Sequence, residues 1–298
     1  MANPGSQAAT DARRAENLGA RLPPLLVAAE RVAATVAQGV HGRRRVGQGD
    51  SFWQFRPYIE GDPFARIDWW QSAKSGRPAP EGWVIRETEW EAAQTVCVWR
   101  DSSASMHWRS RLASVEKYER AELLLLALAS LLLRGGERVT LITPAARSIS
   151  GRAGLDRLAQ ALAGEAHSDA GVPPLVALPR HARVVLFGDF LSPLPEIQAA
   201  IGRLAAVPVG GHLLQILDPA EADLPYNGRI RFRGLEREGE TLIPRVEGVR
   251  EEYGRRLKAQ QDGLAAICTA AGFGFAIHRT DHSPEAALLG LYTALTAR

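Results

Sequence analysis

From residue 95 to the end of the chain, short apolar runs of strand length alternate with helical segments, and this alternation restricts the fold more than any other feature. Residues 95–99 (Thr-Val-Cys-Val-Trp), 138–143, 182–187, 211–217 and 274–278 have the length and Val/Leu content of strands. Between them lie a leucine- and alanine-rich helix over 112–134, stopped by Gly135-Gly136, and a shorter one over 155–163. Helices over 195–206, opened by Ser192-Pro193, and 249–271, ended by Gly272, follow. A last helix opens at Ser283-Pro284-Glu285, with serine as cap and an acid at the positive end of the helix dipole. Residues 230–233 and 241–243 have the pattern of a small hairpin. Strands that are apolar throughout must be covered on both faces. The expected architecture is therefore α/β: a doubly wound, mostly parallel sheet with helices on each side.

The first third is different. Residues 1–22 are polar and small and carry arginine, the composition of a disordered lead-in. In residues 23–39, Leu25, Leu26, Ala29, Val32, Ala33 and Val36 form one helical stripe with Gly39 as its stop. A basic turn, residues 41–45, comes next. All seven tryptophans fall between positions 53 and 108, and Gly and Pro recur over much of that window, which favours turns and short strands. The expected division is a lead-in over 1–22, an N-terminal helix and Trp-rich segment over 23–93 packed on the sheet, and the alternating domain over 94–298.

Bulk properties exclude several classes. The net charge is only +3, so the chain is no polyelectrolyte, and the three arginines at 43–45 fit a solvated turn better than a nucleic-acid contact. Of 36 basic residues only Lys74, Lys117 and Lys258 are lysines, the arginine and alanine bias of a GC-rich bacterial genome. Cys97 and Cys268 lie far apart in apolar stretches, as buried thiols in a reducing compartment do. The N-terminus has no basic-then-apolar leader. The longest apolar run, 123–133, is well short of the ~20 residues that span a bilayer. A cytoplasmic protein without a transmembrane segment is the expectation.

Open α/β sheets place their sites where loops leave the carboxyl ends of strands. The first such loop here reads Arg100-Asp101-Ser-Ser103-Ala-Ser105, a D-x-S-x-S pattern. One carboxylate and two hydroxyls on alternate residues of a curling loop can face a single hard cation, and Mg²⁺ prefers such oxygen ligands while keeping open positions. Asp189, in the Gly-Asp that ends the strand at 182–187, would supply a second carboxylate. The plainer alternative is that Asp101 and the serines only cap a helix and satisfy loop backbone. These residues resemble the metal-ion-dependent adhesion site of von Willebrand factor A-like domains, which implies a Rossmann-type topology. In that family an aspartate, two serines, a threonine from a later loop and a second aspartate hold Mg²⁺ (or Mn²⁺), and a partner's carboxylate takes the vacant position. By position Asp101, Ser103, Ser105 and Asp189 match. No threonine does; Ser168 is the nearest stand-in and Ser150 a weaker one.

Upstream, Arg56-Pro-Tyr58-Ile-Glu-Gly61-Asp62-Pro-Phe-Ala-Arg66-Ile-Asp68-Trp69 resembles the R-x-Y-x-x-G-D-x-x-R-x-I-D-W signature of the bacterial family called domain of unknown function fifty-eight. Arg66 stands one position later than the usual arginine. Glu87, Glu89, the D-x-S-x-S loop and Lys117 continue the resemblance into the last third. It implies a von Willebrand A-like domain working beside a MoxR-type AAA+ ATPase or its client, with no nucleic-acid partner. In the signature itself, Arg–carboxylate pairs and rings can form an internal clasp, leaving one or two tryptophans for a partner.

Catalytic patterns are missing from the sequence. No G-x-G-x-x-G opens a helix, no G-x-x-x-x-G-K-[ST] exists, and Ser103 and Ser105 lack G-x-S-x-G flanks. Haloacid-dehalogenase phosphotransferases need a carboxylate two residues after the first aspartate, where this chain has Ser103. The expected function is a non-enzymatic, metal-assisted protein-binding module. The alternative is a Mg²⁺-dependent phosphate-ester hydrolase with Asp101 as nucleophile.

Overall fold

The computed structural model describes residues 27, 29–33, 46–47, 51–89, 94–143, 148–151, 154–164, 171–235 and 239–296, with backbone alone at 46–47, 51–54, 87–89 and 296. They form two units, one from the described residues between 46 and 89, the other from 27–33 and 94–296.

In the smaller unit, strands β1 (Val46–Gly47), β2 (Ser51–Pro57) and β3 (Val84–Glu89) pair antiparallel in the order β1-β3-β2. A one-turn helix, Phe64–Arg66, and helix α1 (Trp69–Lys74) fill the connection. Asp68 caps α1 by accepting from Gln71 N at 2.9 Å. The Asp68 N–H donates to the Val84 carbonyl, and the Ser72 hydroxyl accepts from Val84 N, so α1 is stitched to β3. Among the described residues Ile67 and Ile85 are the buried apolar side chains of this unit.

The larger unit is an α/β sandwich. Its strands are β4 (Thr95–Arg100), β5 (Arg138–Leu141), β6 (Ser148–Ile149), β7 (Arg183–Gly188), β8 (Gly210–Leu217) and, after the separate hairpin of β9 (Ile230–Arg233) and β10 (Glu240–Ile243), β11 (Phe273–Arg279). They line up as β11-β8-β7-β4-β5-β6, all parallel except the antiparallel edge strand β6. The chain moves outward from β4 to β5 on one side and then returns to β7 on the other. The order of strands thus reverses at β4 and β7, where α/β sheets open a crevice at their carboxyl ends.

Helix α2 is Lys117–Arg134, α3 Gly154–Ala163, α4 Leu194–Leu204, α5 Pro219–Asp223, α6 Arg250–Ala270 and α7 Pro284–Thr296. α2 runs against β4, β5, β7 and β8 and is flanked by α3 and α7, so an unbroken leucine run suits it. Leu124, Leu125, Leu126 and Leu128 are fully buried, each contributing roughly 1.5–3 kcal/mol. On the other face, alternate residues Cys97, Trp99, Val184, Leu186 and Leu213 pack on Ile197, Ile201 and Leu204 of α4 and on Leu264 and Cys268 of α6. The two thiols are free and buried, and burial pushes both up to about 11. Residues 29–33 are helical, and Glu30 accepts from Ser130 and pairs with Arg134 at the end of α2. No helix among the described residues is long and apolar enough to cross a membrane.

One boundary departs from expectation in a way that matters. The pattern of residues 112–134 predicts a helix from Leu112, but α2 starts at Lys117. Residues 110–116 are diverted into a turn because Ser110 N donates to Asp218 and Leu112 N to the Ser110 hydroxyl. Glu116 and Glu119 then close a capping box on the helix. The lead-in expected over 1–22, the remainder of the helix expected over 23–39 and the basic turn at 41–45 lie outside the described residues.

Candidate functional site

β4 ends in Arg100 and delivers Asp101 to the carboxyl edge of the sheet, where the Asp101 N–H still donates to Phe187 O of β7 at 2.8 Å. The Asp101 carboxylate turns back to accept from Ser103 N at 2.8 Å, an Asx turn that curls the loop. This curl brings the Ser103 and Ser105 hydroxyls to 3.1 Å from each other. Asp101 and Ser103 are fully buried, and Ser105 is half-buried.

β7 supplies the opposite wall. After Gly188 the chain places Asp189 and then Phe190, which has φ 49°, a left-handed conformation costing on the order of 1–2 kcal/mol outside glycine. The turn is held from three directions. The Phe190 ring packs on Trp99 at 6.0 Å, Gln215 donates to the Asp189 carbonyl at 2.8 Å, and Gln260 of α6 donates to the Phe190 and Ser192 carbonyls. So braced, the Asp189 carboxylate accepts from the Ser105 hydroxyl at 2.7 Å, closing a contact across 84 residues of sequence.

A third set of groups completes the site. Lys117, the first residue of α2, is fully buried, and its ammonium donates to Asp189 at 2.9 Å and to Glu221 at 2.5 Å. A helix N-terminus repels a cation, so two carboxylates are needed to hold it there. Burial by itself would pull the lysine down, but the charges and hydrogen bonds of Asp189 and Glu221 outweigh it and raise the ammonium above its ordinary range. Glu221 is raised, chiefly by burial, because one ammonium shared with Asp189 does not fully compensate it. Asp218 and Glu221 open α5 with a reciprocal capping box, and the other Asp218 oxygen accepts from Ser110 N at 2.8 Å. Arg100, behind the loop, lies 4.1 Å over the Tyr118 ring and 3.8 Å from Glu122, fixing the start of α2 against β4.

Two glycines keep this space open. A Cβ at Gly188 would sit 3.0 Å from Asp101 Cβ and 3.2 Å from Asp101 Oδ2; one at Gly171 would sit 2.9 Å from Ser192 Oγ and 3.5 Å from Asp101 Oδ2. The donors Asp101, Ser103, Ser105 and Asp189 are all oxygens. Oxygens on adjacent corners of an octahedron with ligands at about 2.1 Å lie about 3 Å apart. The Ser103–Ser105 and Ser105–Asp189 spacings of 3.1 and 2.7 Å match that edge. Ser103, Ser105 and Asp189 are thus spaced as neighbouring oxygen ligands of a hard divalent cation would be, with the Lys117 ammonium as an internal competitor for Asp189. No cluster of three or more His, Cys, Asp or Glu suited to a metal occurs among the described residues, so such an ion would depend on the hydroxyls.

Of the expected ligands, the Ser103, Ser105 and Asp189 oxygens are in contact and Asp101 is tied to the same loop by the bond from Ser103 N, while Ser168 lies outside the described residues. Ser150 is corrected. β6 pairs antiparallel with β5, Ile149 opposite Val139 and Ser148 opposite Thr140, so Ser150 continues toward the amino ends of the parallel strands, away from Asp101. Lys117 has a place in the sequence reading only through family likeness, and Asp218 and Glu221 have none. The signal for the latter two was the D-P-A-E capping box directly after a strand.

The signature residues build the smaller unit. Arg56 donates to Asp62 from both terminal nitrogens, Nη1 and Nη2, at 2.6 and 2.7 Å. That hydrogen-bonded guanidinium, with the Ile59 N–H, holds Asp62 down to about 2. Gly61 has φ +102°, which side-chain-bearing residues rarely adopt, so the tight turn inside the clasp requires glycine. Arg66 is exposed but adds its charge near Asp62. Asp68 is the α1 cap, Tyr58 packs on Trp83, and Trp69 and Trp70 are 58% and 67% exposed.

Residues 54–263 match the family described as "Protein of unknown function DUF58". No curated protein matches the chain. Solved structures similar to it include an aerotolerance-related membrane protein from Bacteroides fragilis NCTC 9343 carrying multiple mutations to serines, at 15% identity and a TM-score of 0.36, over 68% of this chain and 98% of that one. The conserved hypothetical protein BatB from Bacteroides thetaiotaomicron gives 15% identity and a TM-score of 0.34, over 69% of this chain and 100% of its own. An uncharacterized membrane spanning protein from Vibrio fischeri gives 14% and 0.19, over 69% and 98%. At such scores no property of these proteins transfers to this chain.

Proposed function

The chain belongs to the DUF58 family of proteins of unknown function, and from that premise we propose that its larger unit is a von Willebrand factor A-like, non-catalytic binding module that engages a partner protein through a divalent cation. The observation that carries this is the convergence of the two strand ends: the Ser105 hydroxyl, 3.1 Å from Ser103, reaches the Asp189 carboxylate at 2.7 Å. Asp101, Ser103 and Ser105 would hold Mg²⁺ or Mn²⁺, with Asp189 as the second carboxylate. Once bound, the ion supplies a fixed positive charge with open positions for a partner's carboxylate. Lys117 holds the Asp189 carboxylate in place and neutralised until an ion competes for it. The partner is a MoxR-type AAA+ ATPase or its client, and the role is that of an adaptor in assembly or maturation of protein complexes. The family description names no reaction.

Calorimetric titration of Mg²⁺ into wild type and Asp101→Ala, with pull-down of the cognate ATPase in Mg²⁺ and in EDTA, tests it. Heat of binding and partner capture should both be lost in Asp101→Ala, and capture lost in EDTA and in Ser103→Ala. Capture indifferent to EDTA and to Ser103→Ala overturns the metal bridge. Phosphatase turnover abolished by Asp101→Asn, without partner binding, would instead establish Asp101 as the nucleophile of a hydrolase.

A further inference from the structure

The smaller unit carries a site of its own. Tyr58, Glu60, Ala79, Pro80, Glu81 and Trp83 line a cavity of about 540 Å³. Tyr58 and Trp83 stand nearly perpendicular, centroids 5.1 Å apart at 83°, so the cavity has two aromatic walls meeting at a corner. Phe64 extends them, 5.7 Å from Trp83 and 6.0 Å from Tyr58, and Trp69 lies 5.9 Å from Trp83. Two of these rings stand well out of the core. Phe64 and Trp69 are 60% and 58% exposed, while among the described residues the buried apolar side chains of the unit are Ile67 and Ile85. A cluster of four rings, Tyr58 and Trp83 half-buried and Phe64 and Trp69 exposed, is the kind of surface that serves as an interaction site.

The chemistry of the rim selects the occupant. Glu60 and Glu81 are exposed carboxylates on the cavity, and among the described residues neither has a hydrogen-bond or ion-pair partner. The rest of the unit's carboxylates with described side chains behave otherwise: Asp62 is held by Arg56, and Asp68 caps α1. Aromatic faces attract cations, and carboxylates at the mouth neutralise them. The same unit already shows such a pairing, with the Lys74 ammonium 3.1 Å over the Trp70 ring. Two carboxylates also disfavour phosphate groups and anionic lipid, and in a chain of net charge +3 the attraction for a cation must be local.

We propose that the cavity between Tyr58 and Trp83 binds the cationic side chain, arginine or lysine, of a partner polypeptide, with the rings stacking on the cation and Glu60 and Glu81 pairing with it. The site lies wholly within the smaller unit and makes no use of the Asp101 loop, so it stands or falls independently of the metal-binding proposal.

The test uses the full chain in EDTA, which silences any divalent ion. A nonapeptide with one central arginine in a glycine–serine background is titrated by tryptophan fluorescence, beside its lysine and norleucine counterparts, an uncharged proline-rich nonapeptide, and vesicles of anionic phospholipid. The arginine and lysine peptides should bind at least about ten-fold more tightly than the norleucine peptide, a preference of about 1.4 kcal/mol. Glu60→Gln/Glu81→Gln, both at exposed positions and leaving near-ultraviolet circular dichroism unchanged, should abolish that preference. The proposal is overturned if no cationic peptide binds, if norleucine binds equally well, if the double variant retains the preference, or if the proline-rich peptide or the vesicles are favoured.

Discussion

Replacing Lys117 with methionine tests the organisation of the candidate site most directly. The side chain keeps its length and apolar stem but loses the ammonium that Asp189 and Glu221 share at 2.9 and 2.5 Å. The buried Asp189 carboxylate and the part-buried Glu221 carboxylate are then left without their shared cation. Removing one partner of a buried ion pair costs about 3–5 kcal/mol, a large part of the 5–15 kcal/mol that stabilises a typical domain. The melting temperature should fall by roughly 10 °C. The pH dependence has a definite sign. Glu221, already raised by burial, then loses the cation that offsets that burial, so ionising it opposes folding. The penalty is therefore full near neutral pH and shrinks as pH falls toward about 5. A divalent ion that takes over the lysine's charge restores stability, by about 2.7 kcal/mol at one hundred times its dissociation constant, and more in the variant than in wild type, where the ammonium competes for Asp189. Urea unfolding followed by tryptophan fluorescence, at the two pH values and with and without Mg²⁺, measures all three effects. A loss below about 1 kcal/mol, or a loss that grows as pH falls, would refute the assignment of Lys117 as the counter-ion.

Two further outcomes follow from the geometry. His278 is buried and its Nε2 lies 3.0 Å from Arg120, whose guanidinium can only donate, so the ring accepts at that nitrogen. Burial, then the nearby Arg120 charge, lower it from 6.5 to about 4. A histidine depressed in the folded state stabilises above its unfolded value. Its contribution, up to about 3 kcal/mol, should be lost as pH falls from 6.5 toward 4 and be absent in His278→Gln, read from unfolding midpoints across that window. Glycine-to-alanine changes should have opposite signs at two positions. Gly188→Ala drives a methyl to 3.0 Å from Asp101 Cβ and should cost about 1–3 kcal/mol. Gly202→Ala in α4 meets open space and should gain about 0.5–1 kcal/mol. Equal effects in denaturant unfolding would show that the Gly188 site is not tightly packed.

Local pattern carried a great deal of this molecule. Continuous apolar runs located every parallel strand within a few residues, since a strand covered on both faces has to be apolar at successive positions. A carboxylate and two hydroxyls on alternate residues after β4 marked the candidate site, because the loop that brings them together is only five residues long. The glycine of the Arg56–Asp62 clasp was equally local. The antiparallel strand β6 escaped detection, since two residues are too few to show a period.

What sequence could not supply was which distant groups would meet. The ammonium of Lys117 finds Asp189 across 72 residues and Glu221 across 104, and nothing in the periodicity of either segment encodes that partnership. It arises because the chain reverses its strand order at β4 and β7, which brings the start of α2, the turn after β7 and the cap of α5 to one edge of the sheet. The true start of α2 was hidden for the same reason, as a carboxylate from Asp218 pins the turn that precedes it. Periodicity records which side of each element is buried; only the packed topology decides what it is buried against.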